Sequence, residues 1–391
     1  MKIVDVRVRF FRYRPPNPLV SSIGRRRFRL LCLVELTAAS GQVGVGESWV
    51  NFPSWVAAER HATITEGIAP LLVGRDAADV IGTQQRLWAD LAPIGRQGGI
   101  AGAVSQALSG VDLALWDLLG KDRGLPVYRM LGGGRQRVPV YASGLGPQLD
   151  ENRVHTLMAR GIGAFKIKVG FGHAEDYTQV ARLRQLVGDG GRIMVDANQG
   201  WQTPNEALLA IRKLAPLGLE WVEEPLPADD WEGMAYVTSR SPVPISAGEN
   251  LYGRAAFARW AHRRAFNIAQ PDLTKVGGFT EAWAIAQMMP AYGLAWAPHF
   301  LGGAVGLAAT CHLFALVPGG IAVELDSNPN ALRDGIAALP FPAAVEDGHI
   351  VLPDTPGWGL TLREDLLTVH EVPWQEAWRE ADPPADSPSQ K

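Results

Sequence analysis

From residue 164 the sequence reads AFKIKV (164–169), EDYTQVARLRQLVG (175–188), RIMVDAN (192–198), NEALLAIRKLAPLG (205–218) and WVEEP (221–225), and this stretch decides the fold. The first, third and fifth segments are short apolar runs of the kind that form buried strands. The second and fourth place apolar residues at helical spacing. Strand and helix therefore alternate, which is typical of parallel strands joined by crossover helices.

The same alternation extends in both directions along the chain. Five further apolar runs are VPVYAS (138–143), PISAGE (244–249), NIAQPD (267–272), LAWAPH (294–299) and AVELD (322–326). The eight runs begin about every 26 residues, which suits one strand, one crossover helix and short loops. A doubly wound sheet usually has fewer strands, so this count favours an eight-stranded parallel α/β barrel.

The residues on either side of the repeat do not show the same alternation of strand and helix. Three β-type runs, MKIVDVRVRFFRYR (1–14), FRLLCLVEL (28–36) and GQVGVGE (41–47), predict a small antiparallel sheet, and helical patterns follow it. We predict an α+β domain over residues 1–130, the barrel over 131–355 and a separate segment over 356–391. The final ten or so residues, rich in Pro, Asp and Ser, are predicted to be disordered.

Composition and charge exclude several classes of function. The chain of 391 residues has 37 Lys and Arg against 40 Asp and Glu, so its net charge of −3 provides no basic surface for nucleic acid or an anionic membrane. Two cysteines, Cys32 and Cys311, cannot form a disulfide framework, and the N-terminus has no signal-peptide pattern, so we expect a cytoplasmic protein. Residues 282–323 carry no charge, but prolines and glycines divide them into pieces too short for a membrane helix.

Polar residues close every predicted strand from the second to the eighth. They are Lys166 and Lys168, Asp196 and Asn198, Glu223, Glu249, Asp272, His299 and Glu324. Each alone has an ordinary explanation as a solvated loop residue or a helix cap. In a parallel barrel, however, the carboxyl ends of the strands meet at one rim, where active sites are built. The joint pattern therefore predicts a catalytic site.

Three of these residues are candidate metal ligands. Asp196, Glu223 and Glu249 are one strand–helix unit apart, so adjacent strands present three carboxylates to one point. Packed together they would repel one another unless a hard cation neutralised them. Ligation by oxygen alone favours Mg²⁺ over Zn²⁺, which usually takes His or Cys ligands, and a structural Ca²⁺ site is the alternative.

Two candidate bases flank the carboxylates. Lys166 and Lys168 point the same way from one strand, and two neighbouring ammonium groups near a divalent cation lower each other's pKa, which can make one of them a base near neutral pH. On the other side, Asp272 can hydrogen-bond one nitrogen of His299 and leave the other facing the centre. A cation between two bases suits abstraction of a proton α to a carboxylate, with the metal and a lysine stabilising the enediolate.

With these residues in place, the chain resembles the enolase superfamily and, within it, the mandelate racemase subgroup. The matching motifs are GLPVYRMLGG (124–133), KIK (166–168), DAN (196–198), VEEP (222–225), GEN (248–250), PDLTKVGG (271–278) and the strand-end His299. The resemblance implies a modified TIM barrel, (β/α)₇β, with an N-terminal α+β capping domain completed by the C-terminal segment. It also implies one Mg²⁺ per subunit, a small-molecule carboxylate substrate and a homo-oligomer, often an octamer.

The resemblance also implies a role for each site residue. Lys168 would be the base on one face, and His299, oriented by Asp272, the base or acid on the other. The remaining roles are Mg²⁺ binding by Asp196, Glu223 and Glu249, contact with the substrate carboxylate by Lys166, a hydrogen bond to the enediolate from Glu324, and contact with metal-bound substrate groups by Asn198. Lys275 resembles a residue beside the metal ligands and is the alternative base if the register differs.

The reaction depends on loops above the barrel, here residues 15–28 and 47–55. Arg25, Arg26 and Arg27 can contact a polar acid sugar, or they can be solvated residues of a strand. Trp49, Phe52 and Trp55 instead predict an apolar wall. We favour an acid-sugar (aldonate or aldarate) dehydratase. The alternatives are a 2-hydroxyacid racemase or epimerase, and an inactive barrel that serves as a binding protein.

Overall fold

The computed structural model describes residues 1–22, 24–51, 53, 55–337 and 344–377. The C-terminal residues predicted to be disordered lie outside these ranges, as does Phe52. Within the described residues, no helix combines the length and apolar character that a membrane span needs.

The N-terminal region combines an antiparallel sheet with helices. Its strands are β1 (Ile3–Tyr13), β2 (Leu19–Ser21), β3 (Gly24–Arg26), β4 (Arg29–Ala38) and β5 (Val43–Ser48). Its helices are α1 (Val56–Ala62), a π-helical turn (Thr63–Ile68), α2 (Ala69–Leu72), α3 (Val80–Gln97), α4 (Ala101–Arg123) and α5 (Val127–Met130). Strand β4 is the centre of the sheet, paired with β1 and β5, while β2 and β3 form a separate hairpin.

Helix α4 packs closely on β5 because two glycines of the strand leave room for it. A Cβ atom at Gly46 would lie 1.9 Å from the carbonyl oxygen of Gly110, and one at Gly44 would lie 2.3 Å from that of Ala114. Both clashes are with helix backbone, which cannot move without displacing the whole helix. These glycines therefore fix how closely the capping helix approaches the sheet.

We expect Gly46→Ala to destabilise the protein by about 1–3 kcal/mol or more, the usual cost of overpacking. Gly134→Ala is the matched control, because a Cβ atom at Gly134 meets nothing within 4 Å. Thermal unfolding of the two variants measures the difference. Equal melting temperatures would contradict this account of the packing.

The repeat forms a curled parallel sheet of eight strands. They are β6 (Arg137–Leu145), β7 (Ala164–Lys168), β8 (Arg192–Asp196), β9 (Leu219–Glu223), β10 (Ile245–Ala247), β11 (Ile268–Ala269), β12 (Ala295–Trp296) and β13 (Val323–Asp326). The sheet runs from β12 back through β6 to β13, and the N–H of Ile321 donates to the carbonyl of Trp296 between its two ends, 3.0 Å away.

Seven helices connect these strands. They are α6 (Glu151–Ala159), α7 (His173–Val187), α8 (Pro204–Leu214), α9 (Trp231–Thr238), α10 (Arg254–His262), α11 (Gly278–Met288) and α12 (Ala304–Leu316). The predicted (β/α)₇β class is confirmed. Helix α12, from the charge-free stretch, lies in the core, where its His312 is fully buried and accepts a hydrogen bond from the N–H of Tyr128.

The C-terminal segment returns to the N-terminal sheet. Beyond the barrel lie α13 (Ala331–Asp334), β14 (His349–Val351), α14 (Glu364–His370) and β15 (Glu371–Val372). Strand β15 pairs antiparallel with β1. Arg9 of β1 is buried, and its guanidinium binds the carboxylates of Glu35, Glu364 and Glu371. The cap is thus built from both ends of the chain.

Candidate active site

The site residues predicted from the sequence lie together at the carboxyl ends of the barrel strands. A cleft of about 960 Å³ opens between this rim and the cap. Five of the predicted residues line the cleft, namely Lys168, Asn198, Glu249, His299 and Glu324. The other four, Lys166, Asp196, Glu223 and Asp272, are buried. The structure therefore brings the whole set to one place.

Each predicted metal-ligand carboxylate contacts a lysine or histidine side chain. The Asp196 carboxylate lies 2.5 Å from the Lys168 ammonium, and that of Glu223 lies 2.7 Å from Lys166. Glu249 lies 2.8 Å from Nε2 of His299. Among the described residues, no group of three or more His, Cys, Asp and Glu side chains is already arranged to hold a metal ion. The two lysines, and His299 when it is protonated, offset the negative charge of these carboxylates.

The donor set nevertheless fits a hard divalent cation. Asp196, Glu223 and Glu249 supply carboxylate oxygens from three successive strand ends, the ligand type that Mg²⁺ prefers. Beside them, Oδ1 of Asn198 is buried and has no hydrogen-bond partner among the described residues. A buried acceptor of this kind usually has a partner, so it can receive a hydrogen bond from a bound group.

Burial raises the pKa values of the three carboxylates, and neighbouring cationic groups lower them, so that the net shifts differ in direction. Burial raises the pKa of Asp196, but Lys168 and Lys166 outweigh it and hold that pKa below its ordinary value. Burial also raises the pKa of Glu223, to about 7, against the opposing effect of Lys166. Glu249 has a pKa well below its usual range, since His299 and Lys275 outweigh its burial.

Two carboxylates enclose the ammonium group of Lys166. Burial lowers the pKa of this ammonium, but Glu223 and Glu324 outweigh it and hold the pKa well above its ordinary value. Its Nζ lies 2.9 Å from Glu324 as well as 2.7 Å from Glu223. The two lysines also differ in access, because the Lys168 side chain is 22% exposed and that of Lys166 only 1%.

On the other side of the site, the predicted hydrogen bond between Asp272 and His299 is present. Nδ1 of His299 lies 2.7 Å from the Asp272 carboxylate, which leaves Nε2 facing Glu249. Asp272 is itself held by Thr274, whose N–H and hydroxyl both donate to it. The imidazole therefore has one fixed nitrogen and one that faces the carboxylate cluster.

Sequence reasoning missed two supporting residues, Gln270 and Tyr141, but placed Lys275 near the metal ligands. The amide of Gln270 donates to Glu223 at 2.6 Å, and the Tyr141 hydroxyl donates to Glu324 at 3.1 Å. Gln270 precedes Asp272 by two residues, so strand alternation was an available signal for it. Lys275 lies 2.9 Å from Asn250 and 3.9 Å from Glu249, beside the carboxylates rather than in place of Asp272.

Backbone strain is concentrated at the same rim. Asn198, Gln199 and Glu224 all have positive φ angles, of 43°, 61° and 38°. Such conformations are unfavourable for residues other than glycine and tend to cluster at functional sites.

The cap lines the outer part of the cleft. Arg25 and Arg26 of the β2–β3 hairpin line it, whereas Arg27 is exposed and does not. Trp49 and Trp55 lie on the same cleft, and the Lys275 ammonium lies 4.9 Å from the ring centroid of Trp49. Arginine and tryptophan side chains of the cap therefore both line the cleft.

Comparison with known proteins identifies the family. Residues 5–132 match the family model for the mandelate racemase / muconate lactonizing enzyme N-terminal domain, and residues 149–366 match the model described as enolase C-terminal domain-like. The chain belongs to the mandelate racemase/muconate lactonizing enzyme family of the enolase superfamily. The resemblance inferred from the motifs is thus confirmed.

Two curated relatives in this family are named for reactions of sugar acids or their lactones. The D-galactarolactone cycloisomerase of Agrobacterium fabrum is 32% identical over 95% of this chain and 100% of its own. The arabinonate dehydratase of Saccharolobus solfataricus is 32% identical over 85% of this chain and 88% of its own. Relatives across the family include dehydratases, cycloisomerases and racemases, which supports an enzyme.

Solved structures of the same family have the same fold. A mandelate racemase/muconate lactonizing enzyme from Bordetella bronchiseptica RB50 is 37% identical with a TM-score of 0.84, covering 94% of this chain and 99% of its own. A racemase from Streptomyces coelicolor A3(2) is 30% identical with a TM-score of 0.86, covering 95% and 100%, and contains bound magnesium. Members of the superfamily therefore bind Mg²⁺.

Proposed function

We propose that this family member is a Mg²⁺-dependent acid-sugar dehydratase, which removes the proton α to a carboxylate and then eliminates a β-hydroxyl. The observation that carries the proposal is the placement of two proton-transfer groups at opposite ends of one carboxylate cluster. Lys168 contacts Asp196, and His299 contacts Glu249. A substrate seated over the cluster would have one such group on each face.

The buried residues would bind the cation and the substrate carboxylate. Asp196, Glu223 and Glu249 would hold Mg²⁺, which when bound would withdraw electron density from the substrate carboxylate. Lys166, enclosed by Glu223 and Glu324, would place a fixed positive charge beside that carboxylate. Glu324, held by Tyr141, would lie where the enediolate oxygen develops.

Proton transfer would then use the two flanking groups. Lys168, the more exposed lysine, would take the α-proton. As the C–O bond to the β-carbon breaks and a C=C bond forms, His299 would give a proton to the departing hydroxyl, which leaves as water. The enol product tautomerises to a 2-keto acid. Asp272 would hold Nδ1 of the imidazole throughout, so that Nε2 is the atom that moves the proton.

The cleft supports a polyhydroxylated substrate. Polar side chains that line it beyond the carboxylates include Ser21, Arg25, Arg26, Gln148, Arg153 and Asn328. Groups of this kind supply the hydrogen bonds that sugar hydroxyls require. The relatives named for galactarolactone and arabinonate favour the same substrate class.

Racemisation or epimerisation of a 2-hydroxyacid is the second candidate. The same pair of groups on opposite faces favours it, because a proton removed by one can be replaced by the other. Trp49 and Trp55 would suit a less polar side chain. An inactive binding protein is the third reading, and the complete Lys168–His299 pair argues against it.

One experiment separates these readings. We would incubate aldonates, aldarates, their lactones and 2-hydroxyacids such as mandelate with the protein and Mg²⁺ in D₂O. A dehydratase is expected to convert one acid sugar to a 2-keto acid. A racemase is expected to exchange the α-proton for deuterium with inversion and to yield no keto acid. Neither outcome across the panel would overturn both enzyme readings, and chelation of Mg²⁺ should stop whichever reaction is seen.

A further inference from the structure

A short segment of the cap, Glu47 to Asn51, is bonded to the barrel. Glu47 is buried, and its two carboxylate oxygens accept hydrogen bonds from the N–H groups of Gly303 and Gly306, at 2.6 and 2.8 Å. These N–H groups begin helix α12, where unpaired donors and the helix dipole both favour a carboxylate. Gly302 and Gly303 leave space for it, since a Cβ at Gly302 would lie 2.3 Å from Glu47.

The contact lies four residues from His299. The loop from His299 to Gly303 connects the imidazole to the first turn of α12, and its middle is also tied to the cap. The amide of Asn51 donates to the carbonyl of Leu301 at 2.8 Å. The loop contains two glycines in succession, which restrain it little by themselves. Its position therefore depends on these side-chain hydrogen bonds together with two from the barrel side, from the Asn330 amide to the carbonyl of Gly302 and from the N–H of Phe300 to Glu324.

The same cap segment also holds the loop that carries Asp272. The N–H of Trp49 donates to the carbonyl of Thr274 at 3.1 Å, and Thr274 in turn donates to the Asp272 carboxylate. The segment is anchored from behind by Arg60, which is fully buried and donates to the carbonyl of Trp49 at 3.1 Å. One piece of the cap thus fixes both loops of the Asp272–His299 pair.

The opposite side of the site depends on a different part of the cap. There the Ser22 hydroxyl donates to the carbonyls of Ala197 and Asn198, in the loop after β8. Neither Glu47 nor Asn51 is bonded to the strand that carries Lys168. A substitution of Glu47 should therefore slow proton transfer on only one face of the substrate.

We propose that Glu47 is a positioning residue for His299. Through the first turn of α12 and the loop 299–303, it holds the imidazole against Asp272, so that the capping domain sets the rate of proton transfer on the His299 face. The inference rests on the proposed function. Small displacements of a proton-transfer group are costly, about 10²-fold for a shift of 1 Å.

The test compares the two half-reactions in Glu47→Gln. Gln has the shape of Glu, but its amide –NH₂ cannot accept the second backbone N–H. Exchange of the α-proton in D₂O is measured with two stereoisomers of a substrate, one presenting its proton to His299 and the other to Lys168. We expect exchange on the His299 face to fall about 10–100-fold, as for other supporting residues, and exchange on the Lys168 face to change less than about twofold.

Asp117→Asn is the matched control. Asp117 is also a buried carboxylate that accepts two backbone N–H groups, from Val45 and Trp358, at 2.8 and 2.9 Å. It lies in the cap, away from the cleft. We expect this variant to lose stability without favouring one half-reaction over the other. If Glu47→Gln fails to fold, Asn51→Ala removes the neighbouring restraint on the same loop and should show the same one-sided loss.

A second measurement does not depend on turnover. The proton shared by His299 and Asp272 should give a downfield imidazole resonance in the wild-type protein, assigned by its absence in His299→Asn. In Glu47→Gln it should shift or broaden. An unchanged resonance, or equal losses on both faces, would overturn the positioning role alone. If the wild-type protein neither formed a 2-keto acid nor exchanged the α-proton, the proposed function would be overturned instead.

Discussion

Glu249→Gln is expected to abolish Mg²⁺-dependent activity while leaving the fold intact. Gln preserves the shape of the side chain but removes the negative charge that a hard cation requires. Because a single electrostatic donor in an active site is worth about 10²–10³ in kcat, we expect loss of a metal ligand to cost at least about 10³-fold. Calorimetric titration with Mg²⁺ and the rate of α-proton exchange in D₂O measure the two effects.

Glu232→Gln is the control for this substitution. This variant makes the same chemical change at Glu232, an exposed residue in the first turn of α9 that does not line the cleft. It should bind Mg²⁺ and turn over like the wild type. Full activity in Glu249→Gln would refute the assignment of the three carboxylates as metal ligands. Thermal unfolding shows whether any loss reflects misfolding instead.

His299→Asn is expected to stop proton transfer on one face of the substrate and to spare it on the other. General acid–base catalysis by a positioned side chain contributes about 10²–10⁴-fold, so loss of the imidazole should slow that half-reaction by this factor. Exchange should persist with the isomer whose α-proton faces Lys168. Mass spectrometry of each isomer after incubation in D₂O separates the two outcomes.

Substitution of Asp272, the hydrogen-bond partner of His299, tests the same assignment. Asp272→Asn keeps the His299 side chain but removes the carboxylate that fixes its Nδ1, at 2.7 Å, and should impair the same face. Exchange lost with both isomers, in a variant that folds and binds Mg²⁺, would count against the assignment of one proton-transfer group to each face.

The fold could be predicted because the barrel repeats one simple pattern. Even β12, which is only two residues long, was marked by the apolar run LAWAPH at the expected interval. The polar residues that end the barrel strands could be predicted from the same pattern, because parallel strands end at one rim. Arg9 shows where pattern alone failed. An arginine in the strand run 1–14 would ordinarily be exposed, yet Arg9 is buried because carboxylates of Glu35 and of the C-terminal segment surround it.

The pKa values of the site residues, and the residues that hold them in place, were harder to predict. The run AFKIKV could not predict the carboxylates that raise the pKa of Lys166, because the fold brings them against it from other strands. The sequence did not predict the contact between Glu47 and the barrel either. Its partner Gly303 is 256 residues away, and a single Glu at the end of a strand gives no local hint of that contact.

The most direct test of the proposed chemistry is a crystal structure of the protein with Mg²⁺ and a bound acid sugar or a slowly reacting analogue. We predict that the carboxylates of Asp196, Glu223 and Glu249 bind the ion and that the substrate α-carbon lies between Nζ of Lys168 and Nε2 of His299. An ion bound elsewhere, or an α-carbon accessible to neither side chain, would contradict the proposal.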